Sequence, residues 1–193
     1  MSSRASKIAE CIDLQHITYD QVATSFTNNV KEFHGKGVRL AYCCELVNDD
    51  LDELYYKRHF NFQAGLMALS PDPENTIPLR VCMYFEKLPV AYAMGDINDE
   101  DGAFELHFIE TSNFFGNTGL KGWMKYLVDI LLALKSVLDC ELGIQVDKLC
   151  VVNPAQNTRN ALIEMGFDFT HDYKKSNSAA ILYLNTADIC CNK

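Results

Sequence analysis

No stretch of this chain approaches the roughly 20 uninterrupted apolar residues that a membrane-spanning helix needs. Its opening residues, Met1-Ser2-Ser3-Arg4-Ala5-Ser6-Lys7, lack the apolar core of a secretory signal. No membrane association is expected, and the expected compartment is cytoplasmic. Positive charge is scarce: 17 Lys and Arg stand against 26 Asp and Glu, a formal net charge of −9. Affinity for a nucleic-acid backbone rests on clustered cations that displace counterions, so extended nucleic-acid binding is not expected either. The eight cysteines include no C-x-x-C, and His16, His34, His59, His107 and His171 show no ligand spacing, so no metal site is expected. Cys82 and Cys150 lie in apolar runs and read as small buried hydrophobes, while Cys190-Cys191 reads as a reactive pair or, more ordinarily, as the reduced thiols of an intracellular chain. There is no internal repeat and no low-complexity segment.

What is present is the composition of an ordinary globular protein, 48% hydrophobic and 22% charged over 193 residues, enough for one core and short for two. The organising stretch runs from Phe104 to Val152. Phe104-Glu105-Leu106-His107-Phe108-Ile109-Glu110 alternates apolar and polar side chains as a half-buried strand does. Gly116, Gly119 and Gly122 then recur at every third position and leave the backbone unobstructed. From Leu120 the residues Trp123, Met124, Leu127, Val128, Leu131, Leu134, Val137 and Leu138 fall at spacings of three and four, the stripe of a long amphipathic helix. Ile144-Gln145-Val146 and Leu149-Cys150-Val151-Val152 supply a second strand. A strand that feeds a glycine-rich turn opening a helix aims free backbone N–H groups at one point, which suits a phosphate; an ordinary crossover turn is the alternative.

Taken in order, residues 1 to 17 read as an N-terminal arm or short strand, with Ile8, Cys11, Ile12 and Leu14 docking on the core. Thr18 and Gln21 have the capping-box spacing and open a helix facing inward with Val22, Phe26, Val30 and Phe33. Val38 to Leu46 is an apolar run open to either strand or helix. Asn48, Asp49 or Asp50 caps a second helix reaching to about Leu69, and Ser70 to Asn75 is turn chemistry. Leu79 to Phe85 and Pro89 to Ile97 form a hairpin that continues into the Phe104 strand as a meander. The long helix returns the chain parallel to that strand. A helix from Asn153 to Gly166 and a closing hairpin, Phe167 to Thr170 with Ala179 to Leu184, finish the chain. These elements give an α/β (α+β) fold, residues 1–193 as a single domain, with a mixed, mostly antiparallel central sheet flanked by helices on both faces.

This order of elements, with the turn-helix from Gly116 to Leu138 and the run from Val151-Val152-Asn153 through Ala161-Leu162-Ile163-Glu164-Met165-Gly166-Phe167, resembles the GNAT N-acetyltransferase superfamily over residues 18 to about 186. The resemblance implies an acyl-coenzyme A dependent N-acyltransferase with acetyl-CoA as co-substrate, lying between the strands 104–110 and 144–152. It places the pyrophosphate loop on Gly116, Asn117, Thr118, Gly119, Lys121 and Gly122, where the family's Q/R-x-x-G-x-G/A spacing is met only in part. It pairs the backbone of Ile109 to Thr111 with the pantetheine arm and gives Asn153 a bond to the pantetheine amides. The usual tyrosine acid is absent, since Leu162 stands four residues before Gly166. Candidates for the base are Glu105, His107 and Glu110; strand alternation puts Glu105 and His107 on one face and Glu110 on the other, and Glu110 is favoured by its place at the strand end. The alternative for each is a solvated strand residue, and for His107 a hydrogen-bonded core or surface histidine, which is the commoner role. Tyr55, Tyr84 and Tyr92 line an acceptor pocket or belong to the core. Cys150 is a conceivable nucleophile, with a buried structural thiol the alternative. The implied acceptor is a small-molecule amine or a protein amine. The edge of the closing hairpin allows a homodimer. With Leu162 and the incomplete loop motif, the alternative is a non-catalytic GNAT-like interaction or structural module within a larger assembly.

Overall fold

The computed structural model describes residues 3–31, 33, 34, 36–62, 76–113, 119–175 and 177–184. The chain opens with helix α1, Arg4–Asn29, whose N-cap Ser3 accepts from the Ser6 amide at 3.2 Å. This corrects the expectation of an arm over residues 1 to 17 and a helix start at Thr18. The buried stripe of α1 begins at Cys11 and runs without a break through Gln15, Thr18, Tyr19, Val22, Ala23 and Phe26. With no glycine or proline between residues 4 and 29 to end the helix, the upstream turns propagate through Thr18, whose hydroxyl is buried rather than capping. Gln15 fixes α1 to the sheet: its Nε2 donates to the Pro78 carbonyl at 2.8 Å and its Oε1 accepts from the Arg80 amide at 3.2 Å.

Strand β1, Val38–Ala41, resolves the open reading of that run, and helix α2, Glu45–Tyr56, starts ahead of the expected Asn48 to Asp50 cap. Its N-cap Cys44 makes no side-chain hydrogen bond, and the helix stops short of the expected Leu69 because Arg58 turns left-handed at φ 61°. Residues 63–75, which include the expected turn from Ser70, lie outside the described residues. Then follow β2 Ile77–Phe85, β3 Leu88–Asn98, β4 Ala103–Thr111, α3 Gly119–Leu142, β5 Lys148–Val152, α4 Gln156–Glu164, β6 Asp168–Tyr173 and β7 Asn177–Tyr183. The strand expected from Ile144 begins only at Lys148, since the Asp147 and Lys148 amides both go to the Gly102 carbonyl.

The seven strands form one mixed sheet in the order β1-β2-β3-β4-β5-β7-β6, with β4 and β5 its parallel pair. On one face α1 and α3 bury Tyr19, Phe26, Trp123, Leu127, Leu131 and Leu134 against Leu79, Val81, Ala93, Phe104 and Leu106. On the other, α2 and the segment after it bring Val47, Leu51, Leu54 and Phe60 onto Cys82, Tyr84, Tyr92 and Met94. Each fully buried leucine or aromatic contributes about 2 to 3 kcal/mol of transfer free energy, so the sheet is held between two apolar layers. Among the described residues no helix is long and apolar enough to cross a membrane.

Candidate functional site

Strands β4 and β5 begin together and then part. Their pairing joins Ala103, Phe104, Glu105 and Leu106 to Lys148, Leu149, Cys150 and Val151, and stops there. Among the described residues, strand β4 runs on to Thr111 paired with β3 alone. On that side the Ser112 amide donates to the Val90 carbonyl at 2.8 Å, so antiparallel alternation turns the backbone groups of Glu110 toward β3 as well. The backbone N–H and C=O of Ile109 and Thr111 therefore face the gap where β5 has left the sheet. A fork of this kind leaves ladder positions for an extended amide-bearing ligand to occupy.

At the crotch of the fork β4 carries one residue more than β3 can pair. Met94 stands opposite Phe108 and Gly95 opposite Leu106, leaving His107 as a bulge. Gly95 makes this possible: a Cβ there would lie 1.8 Å from the Glu105 carbonyl oxygen. The bulge corrects the alternation expected from the sequence. Glu105 pairs with Asp96 and Glu110 with Tyr92, positions four apart on β3 and so on one face. His107 joins them, its Nε2 lying 3.1 Å from Asp96 Oδ2. All three candidates thus project from the α2 face of the sheet.

They are not equivalent there. Glu110 is buried, its Oε1 accepting from the Asn61 amide at 2.5 Å and Asn61 Nδ2 at 2.7 Å, its Oε2 from the Tyr92 hydroxyl at 2.8 Å and the Phe62 amide at 3.2 Å. It ties the chain after α2 down onto the end of β4. Glu105 is also buried, accepting from Asn98 Nδ2 and the Tyr173 hydroxyl, each at 2.9 Å, and pairing with Lys174 at 2.5 Å. Burial pushes its carboxyl upward, but these donors more than offset that and hold it below the ordinary glutamate range. His107 is the exposed member, with 37% of its side chain open to solvent against 16% for Asp96.

Ile109 and Thr111 stand at the fork, as described. Asn153 has φ 48° and its carboxamide is engaged by β7: Oδ1 accepts from the Ser178 amide and Nδ2 donates to Asn177 Oδ1, both at 3.0 Å. These bonds use one of the two Nδ2 hydrogens of Asn153. Gly116, Asn117 and Thr118 lie outside the described residues, as do Phe114 and Phe115. Gly119 opens α3, which carries Lys121 and Gly122 in its first turn. Leu162 is fully buried in the core on the α3 side and Trp123 likewise. Cys150 pairs with Glu105 across the strands and is fully buried, with burial raising its thiol above the ordinary range. Tyr84 and Tyr92 are core residues whose hydroxyls donate to Asp50 at 2.7 Å and to Glu110.

Sequence reasoning missed Asp96, Tyr173, Lys174 and the role of Gly95. The available signal was a glycine inside an otherwise apolar strand, which marks a bulge or a close backbone approach. Beside the crotch opens a cavity of about 320 Å³ lined by Asp96, Asp99, Glu100 and Glu105 together with Arg4 and Lys174. Among the described residues no group of three or more His, Cys, Asp or Glu could hold a metal ion.

The sequence matches no protein-family model and no curated protein. The architecture does have solved counterparts. The ribosomal-protein-S18-alanine N-acetyltransferase from Escherichia coli superposes with a TM-score of 0.50 at 13% identity, over 77% of this chain and 93% of that one. An acetyltransferase from Thermus thermophilus does so with a TM-score of 0.50 at 14% identity, over 76% and 97%. A Salmonella typhimurium acetyl transferase, which modifies the N-terminal serine of a 50S ribosomal subunit protein, gives a TM-score of 0.50 at 9% identity, over 77% and 95%. Identities this low carry the fold and leave the substrate open.

Proposed function

We propose that this chain, whose fold is that of the GNAT acetyltransferases, transfers an acyl group from acetyl-CoA to a primary amine. The observation that carries the reading is the fork, with the ladder positions of Ile109 and Thr111 turned toward the gap that opens after Leu106 and Val151. The residues present fit the co-substrate. An arm built of two amides matches a strand edge whose donors and acceptors turn toward the gap. Bound there, acetyl-CoA supplies an acyl group activated as a thioester.

In this reading Ile109 and Thr111 hold the arm as an added half-strand. The loop and first turn of α3, with Gly116, Asn117, Thr118, Gly119, Lys121 and Gly122, hold the diphosphate with main-chain amides and one ammonium. The acceptor, a small-molecule amine or an amine of a protein, takes the cavity beside the crotch that Asp96, Glu105 and Lys174 line. A second reading, a non-catalytic module, is favoured by one observation: Leu162 is fully buried and offers no proton.

Calorimetric titration with acetyl-CoA tests the proposal. Saturable binding with a dissociation constant below the millimolar range is expected. No heat of binding at millimolar ligand, in protein shown to be folded, removes the acyl-transfer reading and leaves the second.

A further inference from the structure

We infer that His107, oriented by Asp96, is the general base that takes the proton from the acceptor amine. This rests on the acyl-transfer reading above and adds to it the residues that do the proton chemistry. Three ionisable side chains of β4 share the face at the fork, and the structure separates them by what they already hold. Glu110 accepts four hydrogen bonds and Glu105 accepts from Asn98, Tyr173 and Lys174. Carboxylates held by three or four donors are costly to protonate or redirect, and each anchors a segment of chain.

His107 is different in three respects. It is the bulged residue, which aims its side chain independently of the ladder. It immediately follows the last residue of β4 that pairs with β5, so it stands where the two strands separate. Among the described residues its hydrogen-bond partner is Asp96 on the neighbouring strand, and 37% of its side chain is open to solvent. A carboxylate only accepts, so the Nε2 that meets Asp96 carries the hydrogen and Nδ1 presents its lone pair. Asp96 in turn lines the cavity beside the crotch. It is a positioning residue: it fixes the ring orientation and tautomer and stabilises the imidazolium once formed.

The step balances as follows. Nδ1 takes a proton from the ammonium form of the amine, whose freed lone pair bonds to the acyl carbon while the carbon–sulfur bond breaks and the electron pair leaves on sulfur. The second proton shed by nitrogen as the amide forms goes to that sulfur, giving the thiol, and the imidazolium returns its proton to solvent. No oxidant, reductant or metal enters.

The test has two arms. The first needs no turnover: long-range ¹⁵N–¹H spectra of the ligand-free protein should show the His107 ring with Nε2 protonated and Nδ1 bare, and Asp96→Asn should abolish that single tautomer. A ring protonated at Nδ1 in the wild type overturns the inference. The second arm follows acetylation of spermidine and of a short peptide with a free N-terminus by mass spectrometry, with acetyl-CoA binding measured in parallel. His107→Ala should lower kcat about 100-fold or more at unchanged affinity for acetyl-CoA, with partial recovery in free imidazole. Asp96→Asn should lower kcat at unchanged KM yet cost nothing further in the His107→Ala background, because it acts through the ring. An effect of Asp96→Asn that persists without the imidazole, or a His107→Ala variant within a few-fold of wild type, overturns it. So does a wild type that binds acetyl-CoA and acetylates neither amine. Failure to bind acetyl-CoA at all instead overturns the reading beneath it.

Discussion

His107 is one residue too many for β3 to pair, and that surplus reverses the facing of every β4 side chain after it. Without it Glu105 and Glu110 would lie on opposite sides of the sheet; with it both share the side of Asp96 and Tyr92. The arrangement depends on Gly95, where a Cβ would meet the Glu105 carbonyl oxygen at 1.8 Å. The obstructing atom is backbone and cannot swing away, so Gly95→Ala is expected to cost about 3 kcal/mol or more in urea unfolding. A loss within experimental error would mean that the bulge relaxes freely. Glu110 makes the other prediction at this level. Glu110→Ala leaves the Tyr92 hydroxyl and the Asn61 and Phe62 amides without their acceptor, at an expected cost of about 2 to 3 kcal/mol. Hydrogen exchange should quicken at Asn61 and Phe62 first.

The elements are held in register by a few polar ties across the layers. At its N-terminal end α1 grips the β3–β4 turn: Arg4 Nη1 and Lys7 Nζ reach Asp99 Oδ2 at 2.9 and 2.7 Å. Burial pushes the Asp99 carboxyl upward, but these two cations outweigh it and hold the group down at about 2. The folded value lies below the unfolded one, near 4. Asp99 therefore contributes stability above that unfolded value, and the contribution is lost as pH falls through the folded one. The unfolding free energies of wild type and Asp99→Asn should differ by a constant amount above about pH 5 and converge as the pH approaches about 2. A difference that ignores pH would place the effect in packing rather than charge. At the opposite side of the cavity the tip of the β6–β7 hairpin brings Tyr173 and Lys174 onto Glu105. Between them these ties fix the walls of the cavity.

The molecule as a whole is a sheet with an apolar layer on each face and a break between its middle strands. Helices α1 and α3 close one side, and α2 with residues 57–62 covers the other. The break is a cost of the architecture, since ladder groups there forgo the bonds that β5 gives to Ala103 through Leu106. A ligand that completes the ladder binds the folded state alone and raises its stability. At about 100 times its dissociation constant, acetyl-CoA should add about 2.7 kcal/mol, a rise in Tm of about 5 to 10 °C for a chain of this size. Calorimetric scans with and without the ligand check it. An unchanged Tm at that ligand concentration would show that acetyl-CoA does not bind the folded chain in preference to the unfolded one.

Much of this was legible in the residues. The stripe from Trp123 to Leu138, the meander from Leu79 to Ile109 and the return to Cys150 rest on periodicities that a helix or strand carries in its own sequence. The length of α1 was within reach too, because its buried stripe starts at Cys11; the Thr18 to Gln21 spacing distracted from it, and a local capping signal does not outweigh an uninterrupted apolar face. The bulge was not, beyond the hint of Gly95, since a surplus residue exists only relative to a partner strand whose register no single segment encodes. For the same reason the neighbours Asp96 for His107, Tyr92 for Glu110 and Lys174 for Glu105 could not be read in advance. Chain order supplies the strands and helices through short-range periodicity, whereas the side chains gathered at the fork depend on which strand lies beside which, and folding alone sets that.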